Sequence, residues 1–552
     1  MAYGRCDRAG DISSAAAVMV LAGVAIIGGV GHATWASQAP AVPAAGGAAG
    51  ADDAAREAEL ASDAAAFAEC AEFDAGQNWL NLTNPPTEGA LRHALRLGRM
   101  AERTELVVTG SVTIDALRAF ADAQTGLTNL TTLDFRYVEI TDEGLKILAD
   151  SNTGLKRLTT LNLYNTTITP EGFEAIAGAK TGLKNLNKLG LAGAVFTADG
   201  LKVLSAPNTG LANLTALDLL NTPLTDEGLR VLSAANTGLS RLSALNLSYT
   251  QVTDDGVVAM ADTRTGLKNL RTLDLSWTRV TDRSLKAIGD ASSGLSSLET
   301  LTLININVSD DGVKVLADAS SAVRNLTTLD VSFTGVTDAG LRALADARSS
   351  LQNLKTLNLT SLSISVDGIR AITAAGTGLK NLTALDVSRT AFPADGLRVL
   401  ADANTGLKSL TKLNISYREV TNDVLKALAA ADTGIGNLTT LDLAYTDVGD
   451  DGIKALAATN TGLRKLTALN LYGTRMTDSG LKALASASTG LGNLTTLNIS
   501  YTRFSDEGLK ALAAADTGLK NLTTLDLRGT KVTAEGVAAV RARFPGITIQ
   551  GP

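Results

Sequence analysis

The sequence predicts an α/β solenoid with one parallel sheet on its concave face and helices on its convex face. Leucine recurs every 28 residues from Leu133 to Leu525, at all fifteen positions. Each unit contains an alternating apolar and polar segment such as L-T-T-L-D-L, which indicates a strand with one buried face. A T-D-x-G-L segment follows and indicates the start of a short helix. A period of this length is typical of stacked repeats and not of several globular domains.

The composition supports a folded chain and excludes several kinds of site. The 552 residues are 45% hydrophobic, 19% charged and 4% aromatic, which suffices for a buried core. Two cysteines (Cys6, Cys70) and two histidines (His32, His93) leave no disulfide scaffold, cysteine metal cluster or Ser-His relay. The net charge of −7 resides in residues 51–75, since residues 76–552 carry equal numbers of acids and bases. Without a basic excess, we expect no nucleic-acid partner.

The first 75 residues differ from the rest of the chain. Residues 12–50 carry no charge, and about sixteen strongly apolar residues occupy 15–30, which predicts a signal peptide or an N-terminal membrane anchor within residues 1–36. Both alternatives stay open, as does a leader without a membrane role. Residues 37–75 are expected to be a linker, first rich in Ala, Gly and Pro and then acidic. An extracytoplasmic protein, secreted or tethered through residues 12–36, is favoured over a cytoplasmic one.

The elements of one unit follow in order from Asn129. After the strand, Thr141 and Asp142 supply oxygens for the free amides of a helix start. Leu145 and Leu148 lie on one face of that helix, and Gly154 is predicted to end it in the left-handed conformation. The sequence predicts an N-terminal cap at 76–128, which contains a helix near 87–101 and lacks the full leucine strand. The repeats are predicted at 129–533. A C-terminal cap follows at 534–552, with a closing strand at Ile547 and Ile549.

The pattern L-x-x-L-x-L-x-x-T-x-V-T-D-x-G-L-x-x-L-A resembles leucine-rich repeats of the 28-residue form, as in ribonuclease-inhibitor-like and F-box-associated proteins, and most of all their threonine-rich bacterial versions. The resemblance implies a curved solenoid that binds on its inner face. Strands stack about 4.8 Å apart and helices about 8–10 Å, which also predicts the curvature. Ten repeats have Thr at the turn after the strand, where its hydroxyl can satisfy backbone groups between repeats. The exceptions are Val138, Ala194, Ile306, Leu362 and Arg418, of which the last three are expected to mark local distortion or a binding feature.

Two polar patterns repeat with the same period. Asp or Asn stands between the strand leucines in thirteen of fifteen repeats, which suggests either a groove for a cation or a hydroxyl-rich ligand, or a polar ladder that satisfies itself. The ladder is favoured, because a calcium site needs several converging oxygens. The triplet Asn-Leu-Thr occurs eight times, seven of them at one repeat position, so the repeat explains it better than glycosylation does.

The aromatic residues are the candidate binding residues. Nearly all tyrosines lie at one position just before the threonine turn, or one residue earlier. Aromatic anchors of this kind are enriched at protein-binding surfaces. We expect these residues to form two exposed apolar strips along successive repeats, the second of them flanked by Arg389 and Arg418. An equally weighted alternative is a packing ladder, in which each ring only covers the neighbouring repeat. The strips are Tyr249, Trp277, Ile304 and Phe333, and Tyr417, Tyr445, Tyr472 and Tyr501.

The predicted function is a non-enzymatic scaffold that binds protein partners on its concave face. One alternative, an F-box-type adaptor for ubiquitin ligation, is disfavoured because residues 76–105 are too short for an F-box. A purely structural surface protein is a second alternative. The sequence has no Gly-rich phosphate loop, no H-x-x-x-H pair and no nucleophile elbow, and the repeats lack His and Cys. We therefore expect no catalytic residue, no cofactor and no metal site.

Overall fold

The computed structural model describes residues 71–73, 79–83, 104–109, 112–124, 127–136 and 138–551. The predicted signal peptide or anchor at 1–36, most of the linker and the helix expected near 87–101 lie outside these residues. No helix within the described part of the chain is long and apolar enough to cross a membrane. The domain boundaries stay predictions.

The described residues form one sheet of nineteen strands, most of them three residues long. The strands are β1 (Ala71–Phe73), β2 (Trp79–Thr83), β3 (Glu105–Thr109), β4 (Thr132–Asp134), β5 (Thr160–Asn162), β6 (Lys188–Gly190), β7 (Ala216–Asp218), β8 (Ala244–Asn246), β9 (Thr272–Asp274), β10 (Thr300–Thr302), β11 (Thr328–Asp330), β12 (Thr356–Asn358), β13 (Ala384–Asp386), β14 (Lys412–Asn414), β15 (Thr440–Asp442), β16 (Ala468–Asn470), β17 (Thr496–Asn498), β18 (Thr524–Asp526) and β19 (Thr548–Gln550).

Strands β2 to β19 pair in parallel in chain order, and β1 pairs with β2 in antiparallel fashion. The register follows the sequence period, so that Leu133 lies opposite Leu161 and Leu497 opposite Leu525. All fifteen of these strand leucines are at most 2% exposed. The predicted α/β solenoid with one parallel sheet is thus confirmed.

Fifteen α-helices of the described chain alternate with the strands. They are α1 (Ile114–Ala121), α2 (Asp142–Leu148), α3 (Pro170–Ala177), α4 (Ala198–Leu204), α5 (Asp226–Leu232), α6 (Asp254–Met260), α7 (Asp282–Gly289), α8 (Asp310–Ala317), α9 (Asp338–Ala345), α10 (Val366–Thr373), α11 (Asn422–Leu428), α12 (Asp450–Leu456), α13 (Asp478–Ala485), α14 (Asp506–Ala513) and α15 (Ala534–Arg543). Two 3₁₀ helices span Leu127–Asn129 and Ala394–Ala401.

The N-terminal part contains more sheet than the sequence predicted. The segment E-L-V-V-T forms β3, in which Leu106 and Val108 are buried, although it lacks the leucine pattern of the repeats. Strand β2 extends the parallel sheet further, and β1 lies within the expected linker. A short alternating run therefore suffices for a strand when a neighbouring repeat offers a parallel edge.

The T-D-x-G motif joins neighbouring repeats at their helix starts. Thr281 caps α7 by accepting the N–H of Arg283. Its own N–H and hydroxyl donate to Asp254, 27 residues earlier, at 2.8 and 2.6 Å. The threonine thus caps its own helix, while the aspartate caps the threonine of the next repeat. Equivalent pairs include Thr253 with Asp226 and Thr477 with Asp450.

Gly154 does not end helix α2, which contradicts the sequence prediction. The helix ends at Leu148, with Ala149 as its C-cap. The importance of Gly154 is close packing, since a Cβ there would lie 2.7 Å from the carbonyl oxygen of Asp122. The Gly154 N–H donates to the Ala121 carbonyl at 2.7 Å. The glycine row therefore lets the loops of adjacent repeats touch.

In the ten repeats that have it, the turn threonine satisfies a backbone carbonyl of its own repeat and not one of the neighbouring repeat. The hydroxyl of Thr278 donates to the Leu275 carbonyl at 2.6 Å, and Thr446 does the same to Leu443 at 2.7 Å. Of the exceptions, Ile306 and Leu362 are buried in the same position.

Arg418 marks a distortion of the solenoid. Its guanidinium donates to the carbonyl oxygens of Thr390 and Phe392 and to the Thr390 hydroxyl, and it stacks 3.8 Å from the Phe392 ring centre. Burial lowers the pKa of Arg418 to about 10. Pro393 replaces the usual capping threonine, and a 3₁₀ helix follows it where the other repeats have an α-helix.

Candidate functional site: the aromatic turns

Each predicted aromatic residue follows the end of a strand in a tight turn. In the turn Leu247–Thr250, the Thr250 N–H and hydroxyl both approach the Leu247 carbonyl, at 3.3 and 2.6 Å. Tyr249 is the third residue of this turn and has a φ of 57°. Its N–H donates to the Ser276 carbonyl of the next repeat at 2.9 Å. The backbone is thus fixed on both sides, and the ring projects beyond the sheet edge.

The same position has a positive φ in fourteen successive repeats of the described chain. Glycine and asparagine suit this left-handed conformation best, whereas bulky side chains strain it by roughly 1–2 kcal/mol. Six of the fourteen residues are nevertheless aromatic. The residues are Asn165, Gly193, Asn221, Tyr249, Trp277, Asn305, Phe333, Ser361, Arg389, Tyr417, Tyr445, Gly473, Tyr501 and Gly529.

The first strip contains one stacked pair and one separate ring. The rings of Tyr249 and Trp277 stack with centroids 5.0 Å apart and an angle of 11°. Ile304 is half-buried one repeat further, and Phe333 follows in the next repeat. The three aromatic side chains are 48%, 40% and 46% exposed. The structure therefore places an exposed apolar strip along four repeats, of which two rings are in contact.

The second strip is a continuous stack. Tyr417, Tyr445, Tyr472 and Tyr501 follow one another with ring centroids 4.5, 4.7 and 5.0 Å apart. The hydroxyls of Tyr445 and Tyr472 share a hydrogen bond of 3.0 Å, and this bond, together with burial, raises the pKa of Tyr472 to about 12. Arg389 extends the stack, since its guanidinium lies 4.1 Å from the Tyr417 ring centre.

Arg418, by contrast, does not flank the second strip. It is 8% exposed and packs inward against Phe392, where its guanidinium donates to the carbonyl oxygens of Thr390 and Phe392. The position of Arg418 in the turn therefore gave no indication of where its side chain points.

Glycine makes room for the second strip in two repeats. A Cβ on Gly473 would lie 3.1 Å from the Tyr445 ring, and one on Gly529 would lie 2.7 Å from the Tyr501 ring. Each of these rings leans over the turn of the following repeat. Part of the aromatic pattern is thus the packing ladder that was the alternative interpretation.

The Asp and Asn row on the sheet satisfies itself within the described repeats. Asp330 accepts the N–H of Ser332 at 2.9 Å and the amide of Asn358 at 2.7 Å. Burial raises the pKa of Asp218, Asp274, Asp330 and Asp442. No group of three or more His, Cys, Asp or Glu side chains in the described chain could hold a metal ion.

The Asn-Leu-Thr triplets have a structural role. The Asn213 amide donates to the Lys184 carbonyl at 3.0 Å, and Asn325, Asn381 and Asn521 make the equivalent bond to the preceding repeat. These bonds explain why asparagine recurs there, as the repeat interpretation predicted.

The predicted site residues share one edge of the solenoid. The strands end two or three residues before each ring, so the strips lie along the rim at the carboxyl ends of the strands and not on the concave sheet itself. The sequence showed the shared position but not its positive φ. The recurrence of Asn and Gly among the aromatic residues was a signal that could have revealed it.

Comparisons with known proteins agree with this architecture. The leucine-rich repeat family model matches nine segments, and no curated protein matches the chain. The matched segments are residues 126–149, 210–233, 241–261, 266–289, 324–345, 437–457, 462–485, 493–513 and 518–540.

Similar solved structures include three proteins. An internalin from Listeria monocytogenes is 21% identical with a TM-score of 0.40, over 69% of this chain and 88% of its own. TLR13 in the TLR13–ssRNA13 complex is 17% identical with a TM-score of 0.47, over 84% and 71%. A leucine-rich repeat protein of Leptospira interrogans is 18% identical with a TM-score of 0.37, over 83% and 97%. With nine family-model matches on fifteen in-register 28-residue units, the chain is a leucine-rich repeat protein.

Proposed function

We propose that the protein is a non-enzymatic scaffold that binds a protein partner through the aromatic turns along its rim. The observation that carries this proposal is the set of six exposed aromatic residues in a left-handed turn position, where other repeats have Asn or Gly. Folding alone does not require these rings, since the same turn forms with Asn221 or Gly193.

The energetics favour a role beyond packing for the first strip. Each bulky residue strains its turn by roughly 1–2 kcal/mol, whereas a ring pair contributes about 0.5–1.5 kcal/mol. Tyr249 and Trp277 offset part of the strain by stacking. Phe333 has no ring partner within the described residues, and its ring is 46% exposed. A partner that covers these rings would supply the missing burial.

The chemistry of the rim suits a protein ligand. Tyr, Trp and Phe offer large contact areas with few rotatable bonds, so ordering them on binding costs little entropy. The phenol hydroxyls of the second strip add hydrogen-bonding groups, and Arg389 adds a charge at its end.

The test replaces Tyr249, Trp277 and Phe333 together by asparagine in the full-length protein. Asparagine occupies the same turn at Asn165, Asn221 and Asn305, so the fold should persist. A partner is captured from native extract with the wild-type protein, identified by mass spectrometry, purified and titrated against both proteins. We expect the triple variant to lose at least about 2 kcal/mol, or thirtyfold in Kd.

Val195→Asn provides the matched control. Val195 is 55% exposed outside the strips, so its replacement removes exposed apolar surface without touching the aromatic turns. Binding that is equal in the wild type and the triple variant, with circular dichroism unchanged, would show that the first strip has no part in partner binding.

A location outside the cytoplasm belongs to the same proposal and is supported by the uncharged segment at residues 12–50. N-terminal sequencing of the mature protein distinguishes the alternatives. A new N-terminus near residue 36 indicates a cleaved signal, and an intact one in the membrane fraction indicates an anchor. An intact N-terminus in the cytosolic fraction would contradict export.

A further inference from the structure

The geometry points to a second binding site, for an acidic oligosaccharide, at the edge of the sheet opposite the aromatic turns. A trough of about 640 Å³ runs along the amino-terminal ends of β4 to β8. Two arginines, three asparagines and three threonines line it, and no carboxylate does. The trough is shallow and open to solvent, so a ligand would lie along it across several repeats.

The two arginines of the trough depart from the repeat. Ten of the fifteen repeats have asparagine at the repeat position of these arginines. The amide of such an asparagine donates to a carbonyl of the preceding repeat, as Asn185 does to Lys156 at 2.7 Å. Arg157 and Arg241 instead donate one N–H to the side chains of Asn129 and Asn213, both at 2.7 Å. Neither arginine has a carboxylate partner among the described residues. Each guanidinium is thus held in place with further donors and its charge available.

Asn187 is a third departure in the same trough. Eleven repeats have Thr or Ser at this position, and the hydroxyl donates to the preceding repeat, as Thr159 does to the Thr131 carbonyl at 3.1 Å. The half-buried Asn187 side chain makes no such bond within the described residues, so its amide can donate to and accept from a ligand.

The spacing of these groups selects the ligand class. Arg157 and Arg241 are three repeats apart, which corresponds to about 14 Å at the usual strand spacing. A single phosphate or carboxylate cannot contact both, so the ligand must be extended and carry separated anionic groups. Between the arginines, Thr159, Thr215, Asn185 and Asn213 donate to the preceding repeat. Their oxygens can still accept from sugar hydroxyls, and the Asn187 amide can also donate to sugar oxygens. A peptide is less suited, because an extended peptide binds by adding a strand to an open sheet edge, and β4 to β8 each already pair with a strand on both sides.

The experiment measures binding of a fluorescently labelled oligogalacturonide to the full-length protein by anisotropy, with its uncharged methyl ester as the second probe. Arg157→Asn and Arg241→Asn restore the residue of the other repeats, so the fold should be retained. We expect the wild type to bind the acid form, each substitution to weaken binding about tenfold, and the ester to bind at least tenfold more weakly. Asn187→Thr should weaken binding severalfold.

Lys465→Asn is the matched control, because Lys465 occupies the same repeat position far from the trough and donates to Asn437 at 2.7 Å. The affinity of the Lys465→Asn variant for the acid form should equal that of the wild type. The proposal fails if the wild type does not bind the acid form, if the double arginine variant binds as tightly, or if the ester binds equally. It also fails if a polyglutamate peptide or a single-stranded oligonucleotide of equal charge binds more tightly. The aromatic turns lie at the other ends of the strands, so loss of protein binding there would leave this result unaffected.

Discussion

Replacing Gly368 by alanine tests the physical reason for the glycine of the T-D-x-G motif. Gly368 lies in the first turn of α10, and a Cβ built on it would lie 2.3 Å from Asp338 Oδ1. Asp338 is not free to move, because its carboxylate accepts the N–H of Ser365 at 2.7 Å and the Ser365 hydroxyl. Ser284 stands at the equivalent position of α7 and keeps the contact, because its N–H and hydroxyl both donate to Asp254. An added methyl group offers no such hydroxyl and must push the carboxylate or the helix aside.

The magnitude follows from these contacts. Relieving the clash requires a shift of about 1 Å, which disrupts two hydrogen bonds of about 1 kcal/mol each at a half-buried carboxylate. The better helix propensity of alanine offsets about 0.5–1 kcal/mol. We expect Gly368→Ala to destabilise the protein by about 1–2 kcal/mol. In an Asp338→Ala background only the 3.1 Å approach to Leu341 Cδ1 remains, so the same substitution should cost at least about 1 kcal/mol less than in the wild type.

The assay is urea denaturation of the wild type, both single variants and the double variant, followed by circular dichroism. Gly376→Ala is the control, because a Cβ there would meet nothing within 4 Å. The chain contains a precedent, since Val424 stands at the glycine position one repeat after Ala394, where no aspartate precedes it. An equal loss of stability in both backgrounds, or no loss in either, would refute this reasoning.

Three further outcomes test other contacts. Thr278→Val should cost about 1 kcal/mol in urea denaturation, because it leaves the buried Leu275 carbonyl without its hydroxyl partner; an unchanged midpoint would contradict this. Arg418→Met should destabilise by about 2–3 kcal/mol and increase hydrogen exchange around Phe392, since the guanidinium binds the carbonyl oxygens of the 3₁₀ segment. The third outcome concerns pH. Because burial raises the pKa of Asp330, protonation stabilises the folded state, and this contribution is lost as pH rises from about 4. The Tm of Asp330→Asn relative to the wild type should therefore increase with pH over that range, whereas a constant difference would argue against a raised pKa.

The repeat organisation could be predicted from the sequence because it depends on local rules. Leu133 and its fourteen equivalents can be buried only if successive units stack in register, and Thr141 with Asp142 marks a helix start by the capping chemistry of its side chains. Strands β2 and β3 could not be predicted in this way. They lack the leucine pattern of the repeats, and the pairing of β2 with β3 and of β3 with β4 compensates for its absence.

The candidate sites were predictable in part. The shared position of Tyr249 and Trp277 follows from the sequence period, but their contact and their strained turn do not, because both depend on the backbone of the next repeat. The orientation of Arg418 could not be predicted either, since its side chain points inward only because of its contacts with Thr390 and Phe392. The trough was missed because Arg157, Asn187 and Arg241 are ordinary surface residues until the stack of repeats aligns them.

The sequence by itself determined the period, the parallel register and the buried face of every repeat, because hydrophobic burial and helix capping act on residues a few positions apart. The tertiary structure alone decided the contacts of individual side chains. A separation of 27 to 29 residues becomes a contact of about 3 Å only after stacking, as in the bonds between Thr281 and Asp254 and between Arg157 and Asn129. The close approach of neighbouring repeats, and not the conformational preference of single residues, therefore decided what Gly154 packs against. It also decided which polar side chains have no hydrogen-bond partner among the described residues.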